Sequence, residues 1–385
     1  MKYFKYLLLF VLSISPAAAL IAQSMELSID PKPFAESANH WYGIADKHNV
    51  INPLPGKPQY KPTDITGIGD NILLFQKTNG GWPKNYDVFA ILNTAQQDSL
   101  KAVKSTLNTT FDNNTTFTHI YALAQIFEVT RDEKYKKAIL KGLDYILSAQ
   151  YLNGGWPQYY PLENNYSRHI TFNDGVFTGI MEVLQKAATR KKPFDFLDDK
   201  YQHKVSEAFA KALACIEKCQ IKDNGIPTAW CQQHDEVTFL PVWGRKFEPP
   251  AICNKESADL VLFLMQIDNP DSTLINVIKN AVQWFRESAI GNTIVKEIPA
   301  PPLQTAVRVS TTDKIVVNDA TAPLIWTRYY ELKTHKPLFC NRDSKFVYTL
   351  AEVDRERRDG YAWYTYNPQK VLNKYAAWQK KNNIN

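Results

Sequence analysis

The chain has 385 residues, of which 44% are hydrophobic and 22% charged, so it can bury a sizeable core as one large domain or two smaller ones. Its 45 basic and 39 acidic residues give a net charge of +6, which suits an acidic partner but is far too small to indicate a nucleic-acid-binding protein. Beyond the N terminus, no stretch approaches the roughly 20 apolar residues of a membrane helix. We therefore expect neither nucleic acid nor a membrane as partner.

The first residues, MKYFKYLLLFVLSISPAAALIAQS, have the three parts of an export signal. Lys2 and Lys5 form a basic start, residues 7–14 are apolar, and residues 17–22 are small and suited to cleavage. We predict a signal peptide over residues 1–22 and a secreted or periplasmic mature protein. Without the two lysines, 43 basic residues face 39 acidic ones, a net charge of +4.

Five cysteines leave at least one unpaired in an exported protein. Cys215 is the first, so no lipid-anchor cysteine follows the signal, and Cys215 and Cys219 are expected to pack on one helix rather than form a disulfide. No cysteine spacing resembles a zinc site. No Ser/Gly-rich linker interrupts the remainder. The sequence predicts a monomer with an N-terminal extension over residues 23–60 and a single domain over residues 61–385.

Two stretches repeat each other, "QKTNGGWPKNYD" at 76–87 and "QYLNGGWPQYYP" at 150–161. Both read Gln-x-x-Asn-Gly-Gly-Trp-Pro, and Trp82 and Trp156 are 74 residues apart. A degenerate third copy, "DNGIPTAW", places Trp230 another 74 residues on. A long period of this kind indicates repeated supersecondary units. The alternative is that Asn-Gly-Gly-Trp is merely a favoured tight turn.

Apolar residues elsewhere recur at three- and four-residue steps, which indicates helices. The segments with this pattern are 119–130, 133–150, 201–220, 256–266, 273–290, 322–332 and 368–379. Strand-like alternation is nearly confined to "KIVV" at 314–317. Helices in pairs, closed by Gly-Gly-Trp turns at one end, predict an all-α fold, an (α/α) toroid or barrel with long functional loops. Such a ring would gather its loops, and a site, on one face.

Carboxylate and amide side chains come immediately before two of the apolar helical segments. Asp112, Asn113 and Asn114 precede the first, and Asn173 and Asp174 precede the second. One interpretation is N-capping. The other is a cation site, since Asp and Asn oxygens are the hard ligands that calcium prefers. Spacing alone favours capping for the first group and leaves both interpretations open for the second, although two such pairs could converge on one face of a ring.

A further stretch, "TAWCQQHDEVTFLPVWGRKFEPP", holds a lone arginine among tryptophans and carboxylates. On the residues alone, Arg245 is an ion-pair partner of Asp235 or Glu248, or it carries chemistry. Aromatic residues in the chain, Trp243 included, either pack between helices or offer a face to a sugar ring.

Five segments together resemble the family 10 pectate lyases: "FDNNTT", "NGGWPQYYP", "ITFNDG", "TAWCQQHDEVTFLPVWGRKFEPPAICNKES" and "RERRDGYAWY". The resemblance extends from about residue 60 to 375, and the long central segment is its most specific part. The chain departs from the family pattern at Gly175, where a second Asp or Asn usually follows Asn-Asp. This departure bears on substrate contacts or on the finer geometry of a metal site.

The resemblance implies a toroid of paired helices and a calcium-assisted β-elimination of polygalacturonate with an arginine base. It assigns the base to Arg245 and the Ca²⁺ ligands to Asp112 and Asp174, with Asn113 nearby. The implied substrate-binding residues are Arg328, Arg342, Lys246, Asn173, Trp156 and His234.

An arginine base requires a lowered pKa, because the free side chain titrates at about 12.5 or above. Calcium, Lys246 and a partly dry aromatic pocket would lower the pKa of Arg245, whereas a nearby Glu248 or Asp235 would raise it. An alkaline optimum is the expected consequence. Two other functions are consistent with the sequence. One is an exported α/α-toroid glycoside hydrolase, which needs two carboxylates flanking the scissile bond, and the other is a non-catalytic pectin-binding protein.

Overall fold

A computed structural model describes residues 27–44, 49–305 and 309–384. The predicted signal peptide, residues 1–22, lies outside the described residues. None of the described helices combines the length and the apolar character that a membrane-spanning helix needs. All five cysteines fall in the described part, where each is buried and none forms a disulfide.

The described part of the chain contains eleven α-helices. They are α1 (Ala35–Gly43), α2 (Ile65–Phe75), α3 (Thr94–Ala102), α4 (Phe117–Thr130), α5 (Glu133–Ala149), α6 (Val176–Ala188), α7 (Asp199–Cys219), α8 (Asn254–Leu264), α9 (Ser272–Glu287), α10 (Arg355–Gly360) and α11 (Asn367–Lys381). Helices α2, α4, α6, α8 and α11 pack side by side in one row, and α5, α7 and α9 pack against them in a second row. One large apolar core joins the two rows.

The two rows begin differently at their N termini. Helices α5, α7 and α9 each start after an aspartate, Asp132, Asp198 and Asp271, whose side chain accepts a hydrogen bond from the first turn. Helices α6 and α8 have no such side-chain cap. No side chain at the N-cap of either helix therefore offsets the positive end of the helix dipole.

Twelve strands occupy the loops between these helices. They are β1 (Ile170–Thr171), β2 (Lys222–Asp223), β3 (Ile226–Pro227), β4 (Gln233–His234), β5 (Ile252–Cys253), β6 (Thr293–Gln304), β7 (Val309–Asn318), β8 (Trp326–Thr327), β9 (Tyr329–Tyr330), β10 (Pro337–Cys340), β11 (Phe346–Val347) and β12 (Tyr364–Thr365). Strands β11, β10, β9 and β5 form a four-stranded sheet with a small core of its own, and β6 and β7 form a long antiparallel hairpin.

The prediction of an all-α toroid is wrong, because the fold mixes helix and sheet, with 44% helix and 15% strand. Most strands are only two residues long, which is too short for an alternating pattern to appear in the sequence. The segment 322–332, predicted as a helix, instead contains β8 and β9. Residues 325–330 are all buried, so this segment has no exposed face, and its sequence does not distinguish the helical period from the alternation of a strand. The "KIVV" segment does lie in a strand, β7.

The two Gly-Gly-Trp repeats form the same turn after α2 and α5. Gln76 Nε2 donates to the carbonyls of Gly80 and Ala138, both at 2.9 Å, and Gln150 makes the equivalent pair of bonds at 3.1 and 2.9 Å. Gly154 has φ +97°, and a Cβ there would lie 2.1 Å from a backbone oxygen of α7. The repeat is thus an architectural unit that fastens the end of one helix to the next.

The repeat tryptophans are anchors of this architecture. Each is fully buried, and each indole N–H donates to a carbonyl of the preceding helix, at 2.8 to 2.9 Å: Trp82 to Ile72, Trp156 to Ile146 and Trp230 to Ile216. The indoles therefore pack between helices and present no face to solvent.

Candidate active site

A cavity of about 410 Å³ opens at the N-terminal ends of α4, α6 and α8. Its lining is strongly polar and contains five lysine or arginine side chains and three carboxylates. The lining residues are Glu36, His40, Lys84, Asp112, Asn113, Gln158, Tyr166, Asp174, Arg245, Lys255, Arg328, Arg357, Gly360, Tyr361 and Ala362. Five of the predicted site residues, Asp112, Asn113, Asp174, Arg245 and Arg328, meet here.

Asp112 lies in a turn before α4 and does not cap the helix. The N-cap position belongs to Thr116, whose N–H donates to His119 Nδ1 at 3.2 Å. Asp112 is buried and accepts hydrogen bonds from Lys84 Nζ and from Gln158 Nε2, the latter at 2.8 Å. Asn113 follows with φ +51°, a conformation that asparagine tolerates better than most residues. The turn therefore directs the Asp112 carboxylate toward the cavity rather than toward the helix.

The Asn173–Asp174 pair repeats this arrangement before α6. Asp174 has φ +50°, and neither side chain caps the helix, whose N-cap residue is Gly175 at φ +70°. The Asn173 amide donates to the Asp174 carboxylate at 2.7 Å, while its oxygen accepts from Gln232 at 2.7 Å. A Cβ on Gly175 would approach the Asn114 oxygen to 3.3 Å. Glycine at this position, where the chain departs from the resembled pattern, thus suits both the backbone angle and the close approach of the α4 turn.

The two carboxylates have opposite protonation tendencies. Burial raises the pKa of Asp112, but the Lys84 ammonium more than offsets it, so its pKa stands below the ordinary value. Burial raises the pKa of Asp174 to about 7, and the Asp112 charge adds to the shift, since the arginines of the cavity only partly compensate. The positive charge near Asp174 is therefore too weak to offset its burial and the repulsion by Asp112.

Arg245 is held by Glu248 through a two-pronged ion pair. Nε and Nη2 donate to the carboxylate at 2.9 and 2.5 Å, and within the described residues Nη1 makes no hydrogen bond. Gly244 is required beside it, because a Cβ there would lie 2.5 Å from the Gln233 side chain and 2.9 Å from Glu248. Burial lowers the pKa of Arg245, but Glu248 outweighs it, so the pKa lies above its usual range. Of the two predicted partners, Glu248 rather than Asp235 is the one bound.

Arg328 connects the cavity to a buried network. Its Nη2 donates to Glu256 at 2.5 Å and to Asn173 at 3.4 Å, and its guanidinium lies 4.4 Å from the centre of the Tyr361 ring. Burial raises the pKa of Glu256, but Arg328 and Lys255 overcome it and hold the pKa at about 2. The Arg328 Nε is buried and has no hydrogen-bond partner. Arg328 thus combines a fixed position with unused donor capacity.

Five of the six predicted substrate-binding residues lie outside the cavity lining. Arg342 donates two hydrogen bonds to the Glu356 carboxylate, from Nε at 2.9 Å and from Nη2 at 3.0 Å. Its guanidinium lies 5.1 Å from the centre of the Phe247 ring. Lys246 is exposed, and its carbonyl accepts a bond from Ser344. Trp156 is the buried anchor described above.

His234 is fully buried in β4. Its ring accepts from the Cys231 N–H and pairs with the Phe239 carbonyl, at 2.9 and 2.8 Å. Burial lowers its pKa to about 4. Asn173 also lies outside the lining, but it bonds directly to Asp174.

Several cavity residues were not predicted. Lys84 and Gln158 both bond to Asp112, and each lies two residues after a repeat tryptophan. Aligning the two repeats would therefore have indicated that these residues occupy equivalent positions. Lys255 and Tyr361 lie within segments that were recognised but not assigned. Glu36 and His40 come from the N-terminal extension and carry no local signal.

The oxygen atoms around Asp112 and Asp174 fit a calcium ion. The donor set is carboxylate and amide oxygen, the type that Ca²⁺ takes, and Gln158 Oε1 is buried without a hydrogen-bond partner. A second cluster, His169, Asp235 and Glu236, brings its ligand atoms within 4.8 Å of one another. That cluster includes a nitrogen donor and is already neutralised by Arg168, which donates to Glu236 at 2.8 Å. It therefore suits calcium less well.

Sequence comparison decides the family. A profile of the pectic acid lyases matches residues 76–372, most of the chain. The chain belongs to this family. The lyase is similar to a solved family 10 polysaccharide lyase from Cellvibrio cellulosa, at 26% identity and a TM-score of 0.67 over 87% of this chain and 99% of that one.

A mutant of the family 10 lyase from the same organism, in complex with trigalacturonic acid, matches the lyase at 27% identity and a TM-score of 0.68, over 80% and 92% of the two chains. No curated protein matches the chain. Family membership confirms the resemblance to family 10 pectate lyases and makes the protein a polysaccharide lyase. The glycoside hydrolase and the non-catalytic binding protein do not agree with it.

Proposed function

We propose that this lyase cleaves α-1,4-linked polygalacturonate by calcium-assisted β-elimination, with Arg245 as the base. The observation that carries the proposal is the meeting of Asp112, Asp174, Arg245 and Arg328 in one cavity. The Cellvibrio lyase complex with trigalacturonic acid supports a galacturonate polymer as substrate.

The charge of the cavity suits a polyanion. Among the described residues, neither Arg328 nor Arg245 makes a hydrogen bond through its Nη1, so both guanidinium groups can donate to uronate carboxylates or hydroxyls. The N termini of α6 and α8, at the edge of the cavity, add positive potential. A neutral polysaccharide would leave these donors and this charge without a counterpart.

Calcium would be held by Asp112 and Asp174, with the amide oxygens of Gln158 and Asn113 available beside them. When bound, it would neutralise the substrate carboxylate and so ease removal of the adjacent C5 proton. Asp174 contributes most clearly, since its charge is the one that the protein leaves under-compensated. Lys84, which bonds to Asp112, would have to share that carboxylate with the ion.

Arg245 would take the C5 proton while the C4–O bond breaks, leaving a 4,5-unsaturated sugar. Glu248 fixes the orientation of the guanidinium but holds its pKa high, which opposes a base role. A calcium charge in the same cavity acts in the opposite direction. The neutral fraction of Arg245 then limits the rate, so the rate should continue to increase with pH in the alkaline range.

We also propose that residues 1–22 are a cleaved export signal and that the mature enzyme is a monomer. The basic start, apolar core and small-residue stretch of the N-terminal sequence support export. Mass spectrometry of the protein recovered from periplasm and medium would detect cleavage near residue 22. Light scattering on the purified enzyme would give the oligomeric state.

The decisive test is absorbance near 235 nm during incubation with polygalacturonate, with calcium or with chelator. We expect absorbance only with calcium, an abolished rate for Arg245→Ala, and a largely preserved rate for the control Arg342→Ala. New reducing ends without absorbance would indicate hydrolysis. An unchanged rate in chelator would reject the calcium role, and a substantial Arg245→Ala rate would reject the base. A rate that levels off near neutrality would point to a base that titrates like histidine.

A further inference from the structure

Helix α1 brings two residues, Glu36 and His40, into the wall of the catalytic cavity. They are four residues apart, so they lie on one face of the helix. Both precede residue 76, where the match to the family begins. The N-terminal extension, to which the sequence assigned no role, is therefore part of the site.

Helix α1 is fastened to the body of the protein. Phe34, at its start, is buried and packs edge-on against His119 at 5.3 Å. The Trp41 indole donates to the Ile51 carbonyl at 3.1 Å. Most directly, the Ser37 hydroxyl donates to the backbone oxygen of Asn113 at 3.3 Å, which ties the helix to the turn that carries Asp112. The position of Glu36 relative to this turn is thus set by the fold.

Glu36 has no ion-pair partner among the residues that the structure describes. Its neighbours in the cavity, Asp112 and Asp174, carry the same charge. Asp112 is paired with Lys84, so Glu36 adds a negative charge to the cavity that no ion pair of the described residues offsets. A cation held between Asp112 and Asp174 would be attracted by that charge as well.

We propose that Glu36 is the third carboxylate of the cation site and strengthens calcium binding through its charge. The inference rests on the proposed calcium-dependent function. A separate observation also points to a ligand here: Gln158, which is 3% exposed and lines the same cavity, has its Nε2 bonded to Asp112 and its Oε1 without any partner. Asp112, Asp174 and Gln158 would supply the inner oxygen ligands, and Glu36 acts through its charge from helix α1, which lines the same cavity.

The effect of Glu36 should be moderate. A unit charge several ångströms from a divalent ion in a water-filled cavity changes its affinity by about three- to tenfold at physiological salt. Because Glu36 is exposed, Glu36→Gln should leave the melting temperature unchanged. Glu36→Asp should retain most of the affinity, since it keeps the charge.

The experiment is calcium titration by calorimetry on the full chain without substrate. It compares wild type, Glu36→Gln, Glu36→Asp and the control Glu133→Gln, which removes an equal charge from an exposed position on α5. We expect the dissociation constant to rise three- to tenfold for Glu36→Gln alone, with a difference that shrinks in high salt. Cleavage by this variant should recover at saturating calcium.

Equal calcium affinity in wild type and Glu36→Gln would overturn the assignment while leaving the calcium site intact. Tighter binding of trigalacturonate by Glu36→Gln in chelator, with unchanged calcium affinity, would show instead that Glu36 only repels substrate. A wild type that binds no calcium would overturn the proposed calcium site itself, and Glu36 with it.

Discussion

Replacing Asp174 by asparagine should stabilise the calcium-free enzyme, and only above acidic pH. Burial and the Asp112 charge raise the pKa of Asp174 to about 7, from 3.8 in the unfolded chain. A carboxyl group whose folded pKa is raised contributes its full stability below the unfolded pKa, and this contribution is lost as pH rises through the folded pKa. The loss therefore accumulates between about pH 4 and pH 7.

The magnitude follows from the shift. Roughly three units at 1.36 kcal/mol each give an upper bound of about 4 kcal/mol of destabilisation at pH 8. Asp174 is partly exposed to the cavity, where water and small movements of Lys84 and Arg245 can relieve part of the repulsion. We expect a measured gain of about 1–2 kcal/mol for Asp174→Asn at pH 8, and much less at pH 4.

Urea unfolding in chelator, at pH 4 and pH 8, measures this difference for wild type and Asp174→Asn. Asp98→Asn, at an exposed surface ion pair with Lys101, is the matched control. Calcium should then raise the stability of wild type at pH 8 but not that of Asp174→Asn, because a ligand stabilises the state that binds it. A variant that is no more stable than wild type at pH 8, or equally stabilised at both pH values, would refute the argument that Asp174 lacks positive charge.

Three further predictions concern binding and architecture. Arg328→Lys should raise KM for polygalacturonate at least tenfold and lower the free energy of unfolding by about 2–4 kcal/mol, because it breaks the buried ion pair with Glu256. Arg342→Lys, at the exposed ion pair with Glu356, should change both quantities little. Gly154→Ala should cost about 3 kcal/mol or more in urea, and Gly225→Ala, also at positive φ but in open space, only about 1 kcal/mol. Trp243→Ala should raise KM several-fold at constant kcat, since this exposed ring, two residues before Arg245 in the chain, can stack on sugar. Equal KM values would exclude that role.

The long amphipathic helices could be predicted closely from the sequence. The predicted segments 119–130, 133–150 and 201–220 correspond to α4, α5 and α7 with ends displaced by a few residues. Helices α5 and α7 pack one apolar face on the core and expose the other, so their period appears in the sequence. Helix α4 is buried or half-buried along nearly its whole length, and the length of its apolar run indicates a helix. The sheet beside the site could not be predicted, because its short strands are buried from both sides and their pairing is set by distant residues.

The candidate site was predictable only in part, for a related reason. Asp112 and Asp174 each precede a helix of the same row, so the sequence indicates that they converge. The ion pair of Arg245 with Glu248 is local, three residues along the chain, and Glu248 was one of the two predicted partners. The partner of Asp112 is not local: neither the contact with Lys84, 28 residues away, nor the approach of Glu36 follows from spacing.

A fourth copy of the Trp-anchored turn becomes visible in the structure. The indole N–H of Trp326 donates to the Phe285 carbonyl of α9 at 2.8 Å, as the three repeat tryptophans do to α2, α5 and α7. It lies 96 residues after Trp230 instead of 74, and the β6–β7 hairpin occupies the intervening chain. The insertion and the lost Gly-Gly-Trp-Pro pattern together hide this copy from a search for repeats.

The four anchored turns also explain how an architectural repeat comes to build a site. The residues two positions after the four tryptophans are Lys84, Gln158, Gln232 and Arg328. The first two bond to Asp112, and the last two bond to Asn173, the partner of Asp174. Each indole fixes one turn against its helix, so the side chain two residues on reaches the same face every time. The tryptophan is buried at all four turns while the residue two positions later differs in charge. One repeated turn therefore delivers an ammonium and an amide to Asp112, and an amide and a guanidinium to Asn173, the neighbour of Asp174.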